Sequence, residues 1–196
     1  FGHSFALNDN ILDGDIAYDR SGPRPQRVAR FFDGPLITDG VHMRRMWMLN
    51  NPVVLVRTLM DPATTLSAPR QAGGVTIIDV TLKQGDRLTA AFGADQKPAW
   101  IRWANPQTNL GQATLTTSFS GWSETAGLQM PLGYQTRMDW RNVDFFKLYV
   151  DGYEVNTAIA DLAAPQAVRD APEPEISPFP GDDGGDPGAE MAEDGQ

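Results

Sequence analysis

The stretch Asn105–Arg137, NPQTNLGQATLTTSFSGWSETAGLQMPLGYQTR, decides the fold. It reads as a strand, a glycine-containing turn, and a second strand that begins at the step Leu128-x-x-Pro131. Ser118 and Ser120 stand in strand-like alternation rather than in a Gly-x-Ser-x-Gly elbow. The stretch carries no metal triad and no phosphate loop. It belongs to a β-rich domain that presents a curved sheet.

Working toward the N-terminus, the period stays at two as far as Gly74. Val75–Leu82 and Arg87–Phe92 flank Gln84-Gly85-Asp86, a hairpin-length connection with glycine where a positive φ is easiest. Ala99–Trp103 follows, then Ala113–Phe119, Tyr134–Trp140 and Phe145–Val155. Strands at this spacing with short polar turns predict an antiparallel meander.

Residues 41–60 read differently. Thr38 or Asp39 can cap a helix start, and Met43, Met46, Trp47 and Leu49 follow at three- and four-residue spacings. Asn51 then caps a second helix with Pro52 in its first turn, and Val53, Val54, Leu55, Leu59 and Met60 supply its buried face. Asp61-Pro62 stops it. The expectation is two short helices joined by a kink and laid over one face of the sheet, an α+β class dominated by one sheet. Residues 1–40 are strand-and-turn material, with a tight turn at Asp13-Gly14-Asp15 before Ile16-Ala17-Tyr18 and a loop at Gly22-Pro23-Arg24-Pro25.

Composition narrows the function. The chain of 196 residues has a net charge of −9. Nine acids and no base lie from Asp170 onward, which leaves 16 acids and 16 bases in residues 1–169. The body is neutral, so the footprint expected of a nucleic-acid binder is missing. Residues 170–196 hold five prolines and five glycines with few large apolar side chains, the composition of a flexible acidic linker. The division is a sheet domain over 1–168 and a linker or tail over 169–196. No run is long and apolar enough to span a bilayer. No signal peptide is present, and the opening at Phe1 rather than Met suggests a piece processed or excised from something longer.

Few residues invite chemistry. There are two histidines, His3 and His42, and no cysteine, so neither His-x-His nor Cys-x-x-Cys spacing exists. Asp13/Asp15 and Asp139/Asp144 are possible carboxylate pairs, but Asp-Gly-Asp is also what a tight turn selects. No catalytic or metal-binding residue and no cofactor is assigned to this segment. The aromatic side chains are the more informative set: Trp100, Trp103, Trp122, Trp140, Phe119, Phe145, Phe146, Tyr149 and Tyr153 all fall in the sheet half. Trp100 and Trp103, three apart, should face opposite sides of one strand. Packing accounts for most such residues. The functional reading is an apolar groove between sheet and helices, drawing on Trp47, Leu55, Leu59, Trp100, Trp103, Phe119, Trp140 and Tyr149, that accepts a lipid or other hydrophobic ligand.

Several segments together resemble the accessory domain that precedes the catalytic domain in some bacterial metallo-β-lactamase-fold hydrolases. They are Asp13-Gly14-Asp15-Ile16-Ala17-Tyr18, Arg44-Arg45, Asn51-Pro52-Val53-Val54-Leu55-Val56-Arg57 and Leu59-Met60-Asp61-Pro62-Ala63-Thr64-Thr65-Leu66. Asn109-Leu110-Gly111, Phe119-x-x-Trp122, Gly127-Leu128-x-x-Pro131 and Asp161-Leu162-Ala163-Ala164-Pro165 continue the order. The resemblance covers residues 12–168. It implies a curved antiparallel half-barrel like the lipoprotein-carrier fold, helices on its concave side, and a periplasmic or secreted parent. The family's His-x-His-x-Asp-His zinc pattern does not occur here, so the resemblance implies zinc only in a hydrolase domain following Gln196. Two expectations result: a non-catalytic accessory domain covalently linked or adjacent to that hydrolase, or a periplasmic carrier of a hydrophobic ligand.

Overall fold

Asp13-Gly14-Asp15 turns the chain as its composition demands. In the computed structural model, which describes residues 9–20, 24–28, 31–33, 36–38, 40–107, 111–158 and 162–172, Gly14 sits at φ 59° between β1 (Asp9–Asp13) and β2 (Ile16–Arg20). β3 (Gln26–Arg27) extends this hairpin into a three-stranded sheet, and β4 (Phe31–Asp33) pairs with β5 (Leu36–Thr38) in a separate ribbon.

The helical segment divides at the predicted kink. α1 (Gly40–Met48) ends before Asn51, whose side chain accepts from the Val53 N–H at 2.9 Å and caps α2 (Pro52–Leu59). Pro52 fits there because the first turn of a helix leaves its N–H unused. The predicted cap at Asp39 and the side chain of Thr38 lie outside the described residues, as do Gly22-Pro23, Asn109-Leu110 and most of the acidic tail.

The period-two sequence forms one open antiparallel sheet, not a closed barrel. Its strands are β6 (Thr65–Leu66), β7 (Arg70–Ala72), β8 (Val75–Thr81), β9 (Arg87–Phe92), β10 (Pro98–Gln107), β11 (Gly111–Thr125), β12 (Leu128–Met138) and β13 (Val143–Tyr149). The order across the sheet is β13-β12-β11-β10-β9-β8-β6, with β7 also on β8. With few short helices, the molecule is a sheet-rich α+β fold.

Several strand boundaries differ from the sequence expectation, β10 running on to Gln107 and β13 starting at Val143 among them. β11 runs on through Gly121, at φ 63°, and ends only at the two-residue turn Ala126-Gly127, where both φ values are positive. β12 stops at Met138, and Trp140–Asn142 form a 3-10 turn instead of a strand end. β13 leaves the sheet after Tyr149, before Asp151-Gly152, whose residue types favour a turn over a ladder.

One face of this sheet is roofed by the helices. Ile78, Ala90, Ile101, Thr117, Thr136 and Phe146 form one row across it, and Val80, Leu88, Trp103, Leu115 and Met138 the next. Met46, Leu49 and the fully buried Leu55 pack onto these rows from above. Burying a leucine side chain contributes about 1.5–3 kcal/mol, so a few such residues hold the helices down. Trp103 lies in this core while Trp100 faces the other way with Arg102 over its ring, as three-residue spacing requires.

A second, smaller core ties distant parts of the chain together. Ile11 and Tyr18 of the first hairpin pack with Ala164 and Val168, the latter in the short helix α3 (Gln166–Arg169). The Tyr18 hydroxyl reaches the Leu162 and Ala163 carbonyls, and Asp13 accepts from the Ala164 N–H at 2.9 Å and pairs with Arg169. Arg27 donates to the Ala171 carbonyl at 2.7 Å, so the described fold continues past residue 168. Arg44 of α1 donates to the Ile11 and Tyr18 carbonyls and pairs with Asp19, while Arg45 pairs with Asp15.

Candidate functional site

The helical roof stops short of β13, and a groove opens there. Trp47 of α1 and the junction residues Asn50 and Asn51 form one wall. Thr117 of β11 with Tyr134 and Thr136 of β12 form the floor, and Phe146, Leu148, Val150 and Tyr153 close the far side. The groove holds about 350 Å³ and is mostly apolar, at the small end of the range for ligand sites.

A β-bulge shapes its far wall. Thr136 faces Phe146 but Arg137 faces Asp144, so Phe145 is an extra residue with no partner in β12. The bulge turns both phenylalanines toward the helices. Phe145 stacks on Trp47 with centroids 5.9 Å apart, and Phe146 lines the groove. Trp47 in turn stands edge-on to the buried Trp103 at 5.4 Å. Phe145, Phe146 and Leu148 remain more than 40% exposed, because nothing among the described residues covers them.

The polar groups of the floor satisfy one another. The Thr117 and Thr136 hydroxyls, each about 1% exposed, lie 2.8 Å apart. The Tyr153 hydroxyl donates to the Pro131 carbonyl, which leaves it to accept from the Tyr134 hydroxyl at 2.7 Å. Burial, reinforced by Tyr153, pushes the Tyr134 phenol far above its ordinary value, so it stays neutral and donates. Asn50 Oδ1 on the groove wall and Trp103 Nε1 in the core beneath are buried with no hydrogen-bond partner among the described residues.

The residues expected to line a groove separate in the structure. Trp47 does line it. Leu55, Trp103 and Phe119 are in the core beneath, and Leu59 packs half-buried against the same core. Trp100 is on the opposite face. Trp140 sits on the 3-10 turn under Arg141 and borders a separate shallow cavity with Gln112 and Asp139. Tyr149 also points to the opposite face and is 80% exposed. Trp100 is on that face by plain alternation with Trp103, Trp140 is displaced because β12 ends at Met138, and Tyr149 because one bulge sets the sides of β13. Of the lining residues only Trp47 was anticipated; Asn50, Asn51, Thr117, Tyr134, Thr136, Phe146, Leu148, Val150 and Tyr153 were missed. The register of Thr117 on Thr136 follows from placing the hairpin turn at Ala126-Gly127, so that signal was in the sequence.

The carboxylates are committed elsewhere. Asp13 and Asp15 hold the clasp and Arg45. Asp139 accepts from the Thr114 N–H at 2.8 Å, the main reason its carboxyl titrates below the usual range. Asp144 is held well down by Lys147, Arg137 and Gln135. Among the described residues no group of three or more His, Asp or Glu side chains could hold a metal ion, and no helix is long and apolar enough to cross a membrane. The arrangement can enclose an apolar chain over a floor whose hydroxyls are already paired.

The chain matches no family model, no curated protein and no solved structure. What it does must be argued from the groove.

Proposed function

We propose that this chain is a non-catalytic binding module that takes an acyl chain or similar hydrophobic ligand in the groove between Trp47 and β13. The observation that carries the reading is the half-exposed pair Phe146 and Leu148 lining an apolar cleft of about 350 Å³. Apolar side chains left facing a built cleft are the ordinary sign of a ligand site. An open sheet with helices on one face also suits a half-barrel of the lipoprotein-carrier kind, acting in the periplasm or outside the cell. Titration with a fluorescent polyene fatty acid tests it. Saturable binding is expected, and Val150→Trp, which fills the groove, should weaken it at least about tenfold, the equivalent of two buried methylenes. No saturable binding and no co-purified ligand would sink the reading.

A second reading is favoured by the clasp. Residues 162–171 are pinned to the first hairpin by Tyr18, Asp13 and Arg27, which fixes where the acidic segment departs. Such an anchored exit suits an accessory domain joined through an acidic linker to a metallo-β-lactamase-fold hydrolase after Gln196, with zinc held in that domain. Asp13–Tyr18, Arg44-Arg45 and Ala163-Ala164-Pro165, three of the segments behind the resemblance, meet in this one cluster. The test is the parent chain itself: a hydrolase sequence with bound zinc beyond Gln196 supports it, and a natural terminus at residue 196 overturns it.

A further inference from the structure

The two edges of the sheet are built differently. At one edge β6 and β7 are two and three residues long and separated by Ser67-Ala68-Pro69, with Arg70 paired to Asp79. Short strands, a proline and charges are the usual guards of an edge. At the other edge β13 has seven consecutive exposed residues and no proline. Among the described residues no strand lies beyond it.

Its hydrogen-bond phase can be read from one contact. The Val150 N–H donates to the Leu132 carbonyl at 2.8 Å, and Leu148 and Phe146 face Tyr134 and Thr136 in the same register. Antiparallel strands alternate, so Phe146, Leu148 and Val150 turn their main-chain groups toward β12. Lys147 and Tyr149 therefore turn their N–H and C=O groups to the open side. A lipid cannot satisfy such a row; an extended polypeptide can.

We propose that this row is filled by a second copy of the chain, with two β13 strands pairing antiparallel about a two-fold axis through Leu148. Only three two-fold registers set outward-facing main chain against outward-facing main chain. Lys147 on Lys147 opposes two ammonium groups. Tyr149 on Tyr149 moves half the contact onto residues past the strand, at Asp151-Gly152. The third sets Lys147 of each copy opposite Tyr149 of the other. It makes four main-chain hydrogen bonds and lays each ammonium beside an exposed ring on the outer face. On the inner face Leu148 meets Leu148, and Phe146 meets Val150. The bulge at Phe145 ends the pairing on one side and the bend at Asp151 on the other. Because the two inner faces lie on the same side, the two grooves join along one wall.

The absence of cysteine from the chain makes the register directly testable. Leu148 of one copy and Leu148 of the other form a non-hydrogen-bonded pair, with Cα atoms about 4.5 Å apart, close enough for a disulfide. Sedimentation of the full chain should show a concentration-dependent dimer. Leu148→Cys should cross-link under mild oxidation, and Phe146→Cys, which faces Val150, should not. Lys147→Pro removes an outward N–H and the exposed ion pair with Asp144 but no main-chain bond to β12, so it should leave a folded monomer by near-ultraviolet circular dichroism. A wild-type chain that is monomeric at every concentration overturns the proposal. So does a dimer that Leu148→Cys fails to link, or one that survives Lys147→Pro. None of these outcomes depends on whether the groove takes a ligand.

Discussion

Thr117 and Thr136 show how much one buried pair constrains. Each hydroxyl satisfies the other at 2.8 Å with no water-exposed surface to fall back on. Thr117→Val leaves Thr136 with an orphaned hydroxyl and should cost about 1–3 kcal/mol, whereas Thr117→Val with Thr136→Val should recover most of it. Urea unfolding of the two single variants and the double variant gives the cycle. Asp144 offers a different test, since Lys147, Arg137 and Gln135 hold its folded-state value far below the unfolded one. Its stabilising contribution is then full above the unfolded carboxylate value of about 3.9 and is lost as pH falls through the folded value. Asp144→Asn should lower the melting temperature at pH 7, and its gap from wild type should begin to close only below about pH 4. A gap that stays constant down to strongly acid pH would refute the assignment.

Elements are where the sequence was most and least readable. The second helix was legible because Asn51-Pro52 is a local signal: the cap bond and the missing N–H need no tertiary partner. The β8–β9 hairpin was legible for the same reason, with Gly85 at φ 96° in its turn. β11 was misjudged because Gly121 looks like a terminator, yet a glycine at positive φ inside a long strand bends it without ending it. The bulge at Phe145 had no signature, since two adjacent phenylalanines read equally well as one residue on each side. That single extra residue moves the β13 wall of the groove beyond what alternation can predict. The hairpin turn after β11 also carries a cost. Ala126 holds φ 50° where Asn-Gly is preferred, so Ala126→Asn should raise stability by about 1 kcal/mol in a denaturant titration, with the same slope.

At the scale of the whole molecule, the clasp between the first hairpin and residues 162–171 is the feature that no local pattern announces. It is made of side chains on distant backbone: Tyr18 on the Leu162 and Ala163 carbonyls, Arg27 on Ala171, Arg44 on Ile11 and Tyr18. Tyr18→Phe should loosen it by about 1 kcal/mol and speed proteolytic cutting within 158–172, while amide exchange in β9–β12 stays as slow as in wild type. Equal acceleration everywhere would mean that the clasp and the sheet open as one unit. The clasp also sets a schedule for the nascent chain. Its contacts to residues 162–171 span 144 to 156 residues of sequence, so the β1–β2 hairpin has no place to settle until almost the entire described body after it has been made. At typical elongation rates that is a wait of roughly 10–30 s, during which β1 and β2 stay unstored and open to a chaperone or a wrong partner.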